Sequence, residues 1–136
     1  MSSITLKSSL IKGLLAGAAS SIINSIFYYA FKNLGAINDV VQIKPETPLG
    51  VHHAIISSIV SSIIAGLVFF LISLFARDAF RIFQRLSLII LVFSFLNPFL
   101  FIPDVPVGYA ISLNIMHIVV AAAVIYVMKK NIPFLT

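Results

Sequence analysis

Apolar positions along this chain run in long, nearly unbroken blocks, without the alternation of a half-buried strand. Four blocks are near or above the roughly 20 residues that a helix needs to cross a bilayer. They are Gly13–Phe31, Leu49–Ala76, Leu86–Ile102 and Val107–Met128. The pattern predicts an all-α fold, with residues 1–136 forming one four-transmembrane-helix bundle. A membrane β-barrel would need period-two alternation and is excluded. The first block runs on to Phe31, well past the apolar core of a cleavable leader, so it is read as a retained span.

Breakers fall between the blocks. Lys32–Pro48 contains Gly35, Asn38-Asp39, Pro45 and Pro48, a turn-rich connection too short for a domain of its own. Pro98, Pro103 and Pro106 crowd the end of the third block. Proline removes a backbone donor and disfavours helix in the residue before it, so the third span should kink or break near Asn97-Pro98. Irregular backbone at that depth needs cover from protein or water. The segment is therefore a candidate lining for an outward-facing cavity, or a proline kink packed on a neighbour.

Charge sets the orientation. No charged residue lies deep in a block. Lys7, Lys12, Arg77, Arg81, Arg85, Lys129 and Lys130 fall on one side, seven cations in all, against Lys32 and Lys44 on the other. The cation-rich side is expected to be cytoplasmic, which puts both termini inside. The basic pI of about 9.8 is then a matter of topology, and no nucleic-acid partner is expected. Arg77, Arg81 and Arg85 form a stripe at i, i+4 and i+8. They suit contact with anionic lipid, or simple anchoring with Phe80 and Phe83 dipping into the interface; anchoring is the favoured reading.

Composition removes whole function classes. Of 136 residues, 60% are hydrophobic and 10% charged, where soluble domains run near half and a quarter. With a mean hydropathy of +1.13, a water-soluble enzyme and a disordered chain are both excluded. Cysteine is absent, which excludes disulfides, thiolate metal sites and a cysteine nucleophile.

Small residues recur every four positions in the first two blocks: Gly13, Gly17, Ser21 and Ser25, then Ala54, Ser58, Ser62 and Gly66. Such ladders let membrane helices approach closely, so the first two helices are expected to pair along Gly17, Ser21, Ser58 and Ser62. The same ladders could serve a homo-oligomer.

The strongest polar groups inside the blocks are Asn24, Asn97, Asn114 and His117. Asn24, Asn97 and His117 each lie twelve residues from a cation, namely Lys12, Arg85 and Lys129. At a helical rise of 1.5 Å per residue they form one layer about 18 Å from the cationic end. That is slightly past the middle of a hydrocarbon core of about 30 Å. Asn114 sits one turn beyond His117 on the same face. Asn24, Asn114 and His117 are expected to face the bundle interior, with at least two in direct or single-water hydrogen-bonding reach. Two readings stand open. The layer is a set of interhelical staples, or it is an outward-opening pocket for a small ligand or lipid headgroup. A haem between His117 and His52 or His53 is disfavoured by a depth mismatch of about 9 Å. No cofactor or metal is expected. Asp39, Glu46, Asp78 and Asp104 all lie in connections, so no carboxylate relay crosses the bilayer.

Certain segments carry a family likeness: Ala16-Gly17-Ala18-Ala19-Ser20-Ser21-Ile22-Ile23-Asn24, the Arg77–Phe83 turn, Ser94 with Pro98, and Leu113-Asn114-Ile115-Met116-His117. On these the chain resembles the small bacterial four-helix membrane proteins catalogued as a domain of unknown function. Asn97 departs from that pattern. The resemblance implies a bacterial inner (plasma) membrane and supplies no activity. The resulting expectation is a multi-pass protein, not an enzyme, that binds membrane lipids, a lipid-like ligand or a partner subunit through the outer half of the bundle. A membrane enzyme or redox subunit using His117 and an oligomeric channel or transporter protomer are the alternatives.

Overall fold

The computed structural model describes residues 4–130. Their elements, in chain order, are α1 (Leu6–Asn33), β1 (Gln42–Lys44), β2 (Thr47–Pro48), α2 (Val51–Phe75), α3 (Ala79–Ser94), α4 (Asn97–Phe101) and α5 (Val107–Lys129). Of the described residues, 76% are helical. Three of the five helices, α1, α2 and α5, are long and apolar enough to cross a membrane.

The segment expected as a third span, residues 86–102, is not one helix. Helix α3 has 16 residues and α4 only five. The reason is Pro98, which has no N–H to offer the Ser94 carbonyl. Phe95 and Leu96 keep right-handed dihedrals, but their amides bond three residues back, to Val92 (3.3 Å) and Phe93 (3.1 Å). Tightening to that spacing is common where an α-helix ends. The fold is all-helical apart from a small hairpin of β1 and β2, paired antiparallel within the first long connection, which the apolar pattern does not predict.

Local chemistry explains where the elements start and stop. Thr5 and Ser8 form a reciprocal capping box at the start of α1, with the Ser8 amide donating to Thr5 Oγ1 (3.1 Å). At its other end Gly35 adopts φ +75°, which only glycine takes without strain. The Gly35 amide then bonds the Lys32 carbonyl (3.1 Å) and the Ala36 amide the Phe31 carbonyl (2.9 Å), a Schellman closure. His53 Nδ1 accepts from the Gly50 amide (2.9 Å) at the start of α2. Asp78 caps α3 through the Arg81 amide (3.3 Å). The turn between α2 and α3 is therefore only residues 76–78, and Arg81 and Arg85 lie within α3.

Helix α1 packs along α2 and α5, and α3 lies against α5 and α2. Two hydrophobic clusters form the core. One gathers Ala16, Phe69, Ala79, Phe83, Val124 and Met128 near the cationic end. The other gathers Tyr28, Ile37, Leu49, Ala54, Ile102, Tyr109 and Met116 at the opposite end. Ile37 and Leu49 belong to the first long connection, which thus folds back to close that end. Between the clusters lies a buried polar band that includes Ser20, Ser21, Asn24, Ser58 and Ser62.

Candidate functional site

The contact between α1 and α2 is a backbone contact. A Cβ added at Gly13 would stand 2.5 Å from the Ser62 carbonyl oxygen, and one at Gly17 would stand 2.9 Å from the Ile59 Cα. A Cβ at Gly66 would collide with the Ser9 carbonyl. Ser21 donates from Oγ to the Gly17 carbonyl (2.6 Å) and also lies 3.3 Å from the Ile55 carbonyl across the contact. Ser58 and Ser62 are buried on the α2 side.

Asn24 sits in this polar band, 2% exposed. Its Nδ2 donates to Ser58 Oγ (3.0 Å) on α2 and to the Met116 carbonyl (3.3 Å) on α5. One side chain therefore ties three helices together. Its Oδ1 has no partner among the described residues.

Asn114 does a different job. The Phe99 amide bonds the Leu96 carbonyl (3.1 Å), so it does not serve the Phe95 carbonyl four residues back. Asn114 Nδ2 takes its place, donating to the Phe95 carbonyl (3.2 Å). His117 lies one turn further along α5, near the Ser94 carbonyl that Pro98 deprives of a donor, but makes no hydrogen bond to it among the described residues. One side chain of α5 thus covers one of the two acceptors exposed by the break. Buried backbone acceptors are costly without such partners, most of all in a lipid surround. Asn114 Oδ1 and His117 Nδ1 are buried and unpartnered among the described residues.

The layer divides accordingly. Met116, which Asn24 reaches, and Asn114 are about 160° apart around α5, whereas Asn114 and His117 are about 60° apart. Asn24, Asn114 and His117 make no direct hydrogen bond to one another among the described residues. Backbone carbonyls and a serine take the bonds instead. Asn97 is exposed at the first turn of α4, and its side chain makes no hydrogen bond to any of the three among the described residues.

At the cationic end Arg77, Arg81 and Arg85 are exposed, and Arg81 pairs with Asp78 (3.1 Å). Phe83 does not dip into an interface. It is 2% exposed and packs edge-on against Phe69, with ring centroids 5.2 Å apart. His52 and His53 stack on each other at the start of α2 (3.9 Å between centroids), His53 being engaged in the cap. Among the described residues no group of three metal-ligating side chains is assembled.

One feature has no counterpart in the sequence pattern. A groove of about 410 Å³ runs between α3 and α5, walled by Leu88, Leu91, Ile118, Ala122 and Ile125, with Gln84 and Lys129 at its cationic end. The deep end, at Leu91 and Ile118, lies within one helical turn of Ser94 and His117. Gln84 was the available signal, an amide set between Phe83 and Arg85 on α3.

Residues 5–132 match the model of a family described as a family of unknown function, DUF6069. No curated protein and no solved structure matches the chain.

Proposed function

The chain belongs to this family of unknown function, and from that premise we propose that it is a four-pass protein of the bacterial inner membrane that binds a lipid-like ligand without transforming it. Helices α1, α2 and α5 supply three passes. The α3–α4 pair supplies the fourth, with Asn114 serving the Phe95 carbonyl at its break. The seven-to-two cation bias supports termini on the cytoplasmic side.

The observation that carries the ligand reading is the α3/α5 groove. Its walls are apolar and its polar lining is Gln84, Lys129 and the Tyr126 ring end. Beside its deep end the Asn114 amide donor is taken by the Phe95 carbonyl, which supports a shaping role for that residue more than a capture role. Native mass spectrometry of the full chain released from mild detergent tests the reading. A retained lipid-sized adduct that Ala122→Phe removes is the expected result. Adducts absent from the wild-type chain, with a melting temperature indifferent to added lipid, would refute it. A mass equal to two or more chains would instead favour a subunit seated in the same groove.

A further inference from the structure

The groove has a direction, and its chemistry differs between its ends. It spans Phe80 to Leu91 on α3 and Ile118 to Lys129 on α5, twelve residues and eleven helical steps on each helix. At the helical rise that is about 16 Å, the depth of one leaflet in a hydrocarbon core of about 30 Å. The deep two-thirds are aliphatic, with Leu88, Leu91, Ile118 and Ala122 among the walls. At the shallow end stand the Lys129 ammonium and the Gln84 amide. Arg81 lies one turn before Gln84 on α3, and Lys130 follows Lys129 with its ammonium 5.3 Å from the Tyr126 ring centroid. Among the described residues Asp78 is the one carboxylate near this end, and it is already paired with Arg81.

Resting on the lipid-binding reading above, we infer that the occupant is an anionic phospholipid of the cytoplasmic leaflet. One acyl chain fills the groove as far as Leu91 and Ile118. The headgroup phosphate lies against Lys129, with Gln84 donating to an ester or phosphate oxygen. A zwitterionic lipid would fill the same apolar length, but its own cation would face Lys129. A cation next to anionic headgroups contributes enough for about fivefold in affinity.

The test uses the full chain reconstituted in nanodiscs that contain equal amounts of dioleoyl phosphatidylglycerol and dioleoyl phosphatidylcholine, followed by native mass spectrometry of the retained lipid. The expected result is enrichment of the glycerol lipid. Lys129→Gln should lower it about fivefold and leave the choline lipid unchanged. Lys7→Gln, a cation on the same side but on α1, should change neither. Ala122→Phe, at an exposed position that tolerates a larger side chain, should lower both lipids, with a melting temperature confirming that it folds. Equal retention of the two lipids by the wild-type chain, removed by Ala122→Phe, would overturn the anionic assignment while leaving lipid binding intact. Equal losses in Lys129→Gln and Lys7→Gln would overturn it as well, since they would indicate a diffuse surface field. Retention of neither lipid would overturn the lipid-binding reading itself.

Discussion

At Gly17 a side chain would begin 2.9 Å from the Ile59 Cα, and backbone cannot yield as a flexible side chain can. Gly17→Leu should therefore push α1 off α2 and cost about 1–3 kcal/mol, the usual range for overpacking. Leu15→Phe, at a position 40% exposed on the same helix, should cost far less. Thermal melts of the two variants in one detergent make the comparison, and coincident curves would contradict this account of the contact. Asn24 is the other residue on which several elements depend. Asn24→Leu keeps the branching and number of side-chain heavy atoms but removes both donated bonds, to Ser58 and Met116. Membrane hydrogen bonds measure about 0.6–1.7 kcal/mol each, so a loss of about 1–3 kcal/mol is expected in the same assay. No change would mean that the two acceptors find other donors.

The break between α3 and α4 is a property of two elements and of the helix that faces them. If His117 matters because it lies near the Ser94 carbonyl, its importance depends on Pro98. Pro98→Ala restores an N–H four residues after Ser94, and the helix can then serve its own carbonyl. His117→Ala should destabilise the natural chain by about 1–2 kcal/mol, yet cost little when Pro98→Ala is also present. A double-mutant cycle measures the difference, and additive effects would dissociate His117 from the break. His117→Gln should retain most of the stability, since an amide can donate to Ser94. Parts of this were legible in the sequence. The position of Pro98 announced a broken third helix, and unbroken apolar runs announced α1, α2 and α5. Their ends were not, because caps lie outside apolar runs: Thr5 starts α1 ahead of Lys7 and Lys12, and Asp78 draws Arg81 and Arg85 into α3. The hairpin was hidden because Val40-Val41-Gln42-Ile43, a β-branched run, is short and surrounded by turn residues. Counting from the cations gives depth along each helix but not direction around it. For that reason Asn24 could be matched in depth to Asn114 and His117 and still be bonded on the other side of α5.

For the whole molecule, the distribution of cations and the fold together make a topological prediction. The end closed by Ile37, Leu49 and the hairpin carries Lys32 and Lys44, with Lys32 paired to Asp39 (3.4 Å). The opposite end carries the arginines of α3 and the lysines that close α5. The chain has no cysteine of its own, so single substitutions give unambiguous labels. Val40→Cys, on the exposed connection, should react with an impermeant thiol reagent from outside intact cells. Lys130→Cys should react only after the membrane is opened. Labelling of both from the same side would rule out the three passes between them.

The borrowed donor at the helix break also bears on biogenesis. Until α5 leaves the insertion machinery, the Phe95 carbonyl has neither its own helix nor Asn114 to bond, and the Ser94 carbonyl has no helical donor at all. Sixteen residues of α3 and five of α4, with unsatisfied acceptors between them, make a poor autonomous insert. The nascent third segment should therefore remain beside the translocon, in a polar surround, until the last helix arrives. The two would then enter lipid together as one hairpin. A ribosome-bound chain stalled before Val107 would expose that segment to membrane proteases, whereas one stalled well beyond Lys129 would not.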